Sequence, residues 1–101
     1  MALVKPRKDF YTESHPGPAD VFLLVEVADS SVLYDRGEKL SAYARANIPE
    51  YWLVNLVERV VEVYRLPLPT GTYGSLSRSQ AGASIAPLAF PDVEIAVQGL
   101  F

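Results

Sequence analysis

The chain has 101 residues, half of them apolar and 21% charged, which fits one folded domain with a modest core and excludes a disordered chain. It has no cysteine, so disulfides and thiolate metal sites are excluded. The net charge of −3 gives no bulk attraction for nucleic acid, and any such contact needs a local basic patch.

Residues 2–7 read as a short strand. Lys5, Arg7 and Lys8 are followed by no apolar segment of export-signal type, and no apolar run approaches the roughly 20 residues of a membrane span. The default reading is therefore a cytoplasmic protein with no membrane partner. Residues 8–19 form a polar loop, with His15-Pro16-Gly17-Pro18 as its turn signal. Val21–Ala28 reads as the central strand. Its near-continuous apolar character points to burial on both faces, as in a parallel or mixed sheet. Glu26 interrupts that run. A carboxylate placed there loses hydration and must find a partner, a metal or a proton.

Asp29-Ser30-Ser31 is a loop able to cap the next helix. The spacing of Leu33, Leu40, Tyr43 and Ala44 predicts that helix over 33–46, with Asp35, Arg36, Glu38, Lys39 and Arg45 polar. Gly37 weakens it by up to about 1 kcal/mol relative to alanine. Asn47 can end it in the left-handed conformation, and Pro49 blocks continuation. Asp35 and Lys39 are four apart and share a helix face. A strand carboxylate facing a helix lysine is a constellation suited to metal and phosphate.

Residues 51–56 form the next strand, and Glu58-Arg59 a turn. Residues 60–66 alternate, with Val61, Val63 and Arg65 on one face and Val60, Glu62 and Tyr64 on the other. The two strands make a hairpin. Residues 67–71 end it. Thr72–Gln80 is a polar, serine-rich edge strand. Residues 85–90 and 93–97 are short extended pieces around Pro87 and Pro91, and 98–101 form a terminal turn. There is no repeat and no second domain.

Several of these stretches together resemble a known family. They are Val25-Glu26-Val27-Ala28-Asp29-Ser30-Ser31, then Asp35, Lys39 and Tyr43-Ala44-Arg45-Ala46, then Ile48-Pro49-Glu50-Tyr51-Trp52-Leu53-Val54 and Val60-Val61-Glu62-Val63-Tyr64-Arg65. Phe90-Pro91-Asp92-Val93-Glu94-Ile95-Ala96-Val97 completes the set. In order and spacing they are similar to the Uma-type endonuclease family, a branch of the PD-(D/E)XK nucleases. The resemblance implies an α/β restriction-endonuclease-like core, in part: a mixed β-sheet, one main helix and a C-terminal β-hairpin.

It also implies metal-dependent hydrolysis of a DNA phosphodiester. The family's strand acid matches Glu26, as catalytic residue and metal ligand. Its helix lysine matches catalytic Lys39, and Asp35 matches a recurrent helix acid. The implied cofactor is Mg²⁺ or Mn²⁺, and the implied partners are DNA and a second copy, as homodimer or higher homo-oligomer. Carboxylates suit a hard cation, the cation activates water, and lysine supplies a point charge to nucleophile or phosphate. Ala28 stands where the standard motif carries lysine, which leaves Lys39 as the substitute.

The sequence also departs from the family pattern. The family's first acid, in a Pro-Asp pair, falls before Met1 in this order of motifs. The expectation is therefore a single domain, 1–101, equivalent to the C-terminal part of a family member, and inactive if that acid is missing. Asp20 imitates the pair but enters the same strand as Glu26, too far along to share a metal. Asn55 and Gly99 replace acids common in the family and read as surface changes.

Each residue has a plainer reading. Glu26 can be a buried acid paired with arginine or lysine. Asp35 and Lys39 can be a surface pair worth a few tenths of a kcal/mol, the reading favoured for Asp35. Ser30 and Ser31 read as cap and loop residues, His15 as a solvated loop residue, and Tyr51 and Trp52 as packing. Lys5, Arg7 and Lys8 suit phosphates or edge protection. The rival function is a noncatalytic remnant or oligomerisation module that keeps the fold.

Overall fold

The structure is a computed structural model that describes residues 2–4, 21–29 and 35–101. Five strands form one sheet in sequence order: β1 (Ala2–Val4), β2 (Val21–Ala28), β3 (Glu50–Asn55), β4 (Val60–Leu68) and β5 (Thr72–Gln80). β1 runs antiparallel to β2, and β3, β4 and β5 make successive antiparallel pairs. The β2–β3 pair is parallel, so the chain must cross over between them. That crossover carries a wide turn of π-helical winding (Asp35–Lys39) followed by helix α1 (Leu40–Arg45).

Alternation along the strands sorts side chains into two cores. Leu23, Val25, Trp52, Val54, Val61 and Val63 fill one face, joined by Ile85 and Val97. Ala28, Tyr51, Leu53 and Tyr64 fill the other, where Leu24, Leu40, Tyr43 and Tyr73 pack on them. Every residue of β3 is buried, as befits a strand covered on both faces. A small second sheet, β6 (Ser84–Ile85) with β7 (Ile95–Ala96), leads into the 3₁₀ turn Val97–Leu100 and closes the first face.

The mixed sheet, the main helix and the C-terminal hairpin are as expected from sequence. The details differ at four places. First, the helix over 33–46 is regular only from Leu40 to Arg45, with the Gly37 stretch wound wide before it. It ends where expected: Asn47 has φ 60°, and Ile48 N–H donates to the Tyr43 carbonyl at 3.1 Å.

Second, β4 runs past Pro67 to Leu68. Its pairing with β3 stops at Arg65, so the proline sits where β4 has lost its β3 neighbour and an N–H on that side is dispensable. Third, 85–90 is strand only at its first residue and then turns. Phe90 N–H donates to the Pro87 carbonyl at 3.0 Å. Fourth, Asn55 is no surface residue. It is 1% exposed, and its Oδ1 accepts the Val57 and Glu58 N–H groups, both at 3.1 Å, holding the β3–β4 turn. Gly99 does lie exposed in the terminal turn.

Candidate active site

Glu26 lies on β2 between Val25 and Val27, so its side chain takes the helix-covered face with Leu24 and Ala28. Lys39 closes the wide turn, and Tyr43 follows it by one helical step on α1. The two converge on the acid. Lys39 Nζ donates to Glu26 Oε2 at 2.9 Å, across thirteen positions of sequence. The Tyr43 hydroxyl donates to Oε1. The Glu26 side chain is 20% exposed and the Lys39 side chain 38%, so the pair sits at a rim, partly in water. Each carboxylate oxygen carries two lone pairs, and each accepts one donor from the described residues.

Behind the pair runs a row of tyrosines. The Tyr43 and Tyr51 rings meet edge-on at 5.1 Å, Tyr51 stacks on Tyr64 at 5.7 Å, and Tyr64 leans on Tyr73 at 5.9 Å. The Tyr73 hydroxyl donates to the Ile48 carbonyl at 2.9 Å. Burial pushes the Tyr73 phenol well above its ordinary range, with Tyr43 adding to the shift.

Across the sheet, Glu26 aligns with Leu53, Leu53 with Glu62, and Glu62 with Arg78. Glu62 is thus a second acid on the same face, two strands and about 10 Å away at the backbone. It is 2% exposed and accepts the Tyr64 hydroxyl at 2.5 Å, with Arg78 Nη2 at 3.8 Å. The alternation of β4 signals its face, but nothing local signals its row.

Of the sequence-predicted site residues, Glu26 and Lys39 are brought together. Asp35 begins the wide turn, but its side chain lies outside the described residues, as do those of Lys5, Arg7, Lys8, His15, Asp20, Ser30 and Ser31. Ala28, Tyr51 and Trp52 are core residues. Sequence reasoning finds in Tyr43 only an apolar helix position. The signal that could have marked it is its spacing of four from Lys39, which puts both on one helix face.

Among the described residues, no three of His, Cys, Asp or Glu gather to hold a metal, so Glu26 fits a cation as one ligand and not as a set. No helix among them is long and apolar enough to cross a membrane.

The family model Uma2, described as "Putative restriction endonuclease", matches residues 1–98. The chain belongs to the Uma2 family. No curated protein matches it. Uma2 membership agrees with the resemblance carried by the strand acid, the helix lysine and the Ile48-Pro49-Glu50-Tyr51-Trp52 stretch. It supports a nuclease at the level of the family, in a restriction-endonuclease-like class that generally uses divalent metals, and the mixed α/β sheet is consistent with that class.

Proposed function

We propose that this Uma2 member is a divalent-metal-dependent DNA endonuclease hydrolysing phosphodiester bonds, with Glu26 as a metal ligand and Lys39 as the cation of the site. The observation that carries the reading is the 2.9 Å contact between Lys39 Nζ and Glu26 Oε2. It puts a strongly hydrated point charge beside a strand acid, at a rim that a phosphate can reach. Mg²⁺ or Mn²⁺, where bound, supplies Lewis-acid charge to the phosphoryl oxygens. Lys39 then has two roles open to it at one position: balancing Glu26, and facing the nucleophile or the phosphate. The described residues give one anionic ligand, and hard cations rely on several oxygens.

The proposed assembly is a homodimer or higher oligomer. β5 supports it: nine residues long and at the sheet edge among the described strands, it leaves backbone groups open to a partner strand.

The noncatalytic alternative draws on the same contacts, since a structural acid also gathers lysine and tyrosine donors. Calorimetric titration with Mg²⁺ and plasmid cleavage with Mg²⁺ or Mn²⁺ separate the two. In the nuclease reading, Glu26→Gln loses the binding heat and both Glu26→Gln and Lys39→Ala lose whatever cleavage the chain has. Binding and cleavage unaffected by Glu26→Gln would place the chemistry elsewhere. A purely structural pair would instead register only as lowered stability.

A further inference from the structure

We infer that Tyr43 is a positioning residue for Glu26: its hydroxyl fixes the carboxylate in one orientation while Lys39 takes the other oxygen. The inference rests on the reading of Glu26 and Lys39 as the reactive pair. The terminal torsion of a glutamate is broad and weakly restrained on its own. One donor leaves the carboxylate free to swing about that contact. Two donors on different oxygens do not. Here Lys39 Nζ holds Oε2 at 2.9 Å and the Tyr43 hydroxyl holds Oε1. Both come from one helix face, four residues apart, so the clamp is built into the winding of a single segment.

The tyrosine is itself held. Its ring meets Tyr51 at 5.1 Å, and the row continues through Tyr64 to Tyr73, whose hydroxyl is tied to the Ile48 carbonyl at 2.9 Å. Packing accounts for the ring. It does not account for the hydroxyl, because a phenylalanine would make the same edge contact with Tyr51. The hydroxyl donates to the acid, and each Glu26 oxygen keeps a second lone pair turned in a fixed direction.

The test reads Lys39, whose 2.9 Å contact with Glu26 Oε2 a loosened carboxylate would weaken. The full chain is labelled with limiting amine-reactive reagent and the modification of Lys39 is quantified by mass spectrometry. Wild type is compared with Tyr43→Phe, Tyr43→Leu and Tyr73→Phe, each checked for folding by circular dichroism. A hydrogen bond to a charged group is strong enough that Tyr43→Phe should raise Lys39 labelling by about threefold or more. Tyr43→Leu should exceed Tyr43→Phe by little. Tyr73→Phe, which removes a hydroxyl from the same aromatic row but not from Glu26, should match wild type. Tyr43→Phe matching wild type would overturn the inference and leave Tyr43 as packing alone, even if Tyr43→Leu fails to fold. The catalytic reading fails separately, through Mg²⁺ binding and cleavage that survive Glu26→Gln.

Discussion

Arg65 closes on a single oxygen of Glu50, with Nε at 2.9 Å and Nη2 at 2.8 Å from Oε2. Trp52 Nε1 donates to the same oxygen at 2.8 Å, and Leu88 N–H donates to Oε1 at 2.8 Å. Arg65 Nη2 also donates to the Ala86 carbonyl at 2.8 Å. Glu50 is fully buried, so this is a carboxylate withdrawn from water and satisfied by two strands and the segment that crosses them. Removing one partner of such a pair strands the rest. Glu50→Ala should cost about 3 kcal/mol, measured as a lowered urea midpoint, and Glu50→Gln should cost less because it retains one acceptor oxygen. An unchanged midpoint for Glu50→Ala would mean the network contributes nothing to stability.

Gly71 should resist replacement for two reasons. Its φ of +89° is a conformation that favours glycine. An added Cβ would also lie 2.6 Å from Ser41 Oγ and 2.8 Å from Arg45 Nε, both on the helix that backs the site. Gly71→Ala should lower stability by about 1–3 kcal/mol. Gly37 has open space around it and no such φ, so Gly37→Ala should be neutral or stabilising by up to about 1 kcal/mol. Thermal unfolding of the two variants side by side checks the contrast. Equal effects would remove the claim that the β4–β5 turn seats against α1.

Legibility in the sequence depends on range. β2, the β3–β4 hairpin and β5 are readable because alternation and continuous apolar runs are local signals, and the structure reproduces their bounds within two residues. The helix stop at Asn47 is readable for the same reason, since one residue in the left-handed region ends it. The winding of Asp35–Lys39 is not, because side-chain spacing alone does not distinguish a π turn from an α turn over so few residues. Asn55 passes for a surface residue in the sequence because its acceptor oxygen serves a turn whose burial depends on the whole sheet. At the site, Glu26 declares itself as a charge in an apolar run. That Lys39 and Tyr43 take separate oxygens of it requires the crossover geometry. The Glu26–Leu53–Glu62–Arg78 row depends on strand register, which a single strand's sequence does not carry.

Tyr73 makes stability fall in alkali. In the unfolded chain a tyrosine titrates at about pH 10. In the fold, burial first and the neighbouring Tyr43 second hold the Tyr73 phenol protonated beyond that point. Between the two values the unfolded state has released a proton that the folded state keeps, so rising pH favours unfolding. The contribution is whole below about pH 10 and declines above it. Melting temperature plotted against pH should therefore drop more steeply above about pH 10 in wild type than in Tyr73→Phe. Parallel curves would show that Tyr73 titrates alike in both states.

The edge formed by β5 should govern assembly. Thr72–Gln80 contains no lysine or proline, and its one charge, Arg78, is occupied by Glu58 at 2.5 Å. Leu76 is 54% exposed on the same strand. Natural edges are protected by charge, proline or brevity, and this one has little of each. Self-pairing of two such strands about a two-fold axis would continue the sheet and satisfy the open backbone groups of both copies. Light scattering across a dilution series should accordingly show a concentration-dependent oligomer. Ser77→Lys places a solvated charge at an exposed position of that edge and should shift the chain toward monomer without lowering its melting temperature. A wild-type chain that remains monomeric at high concentration would sink the proposal. An oligomer that Ser77→Lys leaves intact would move the interface away from β5.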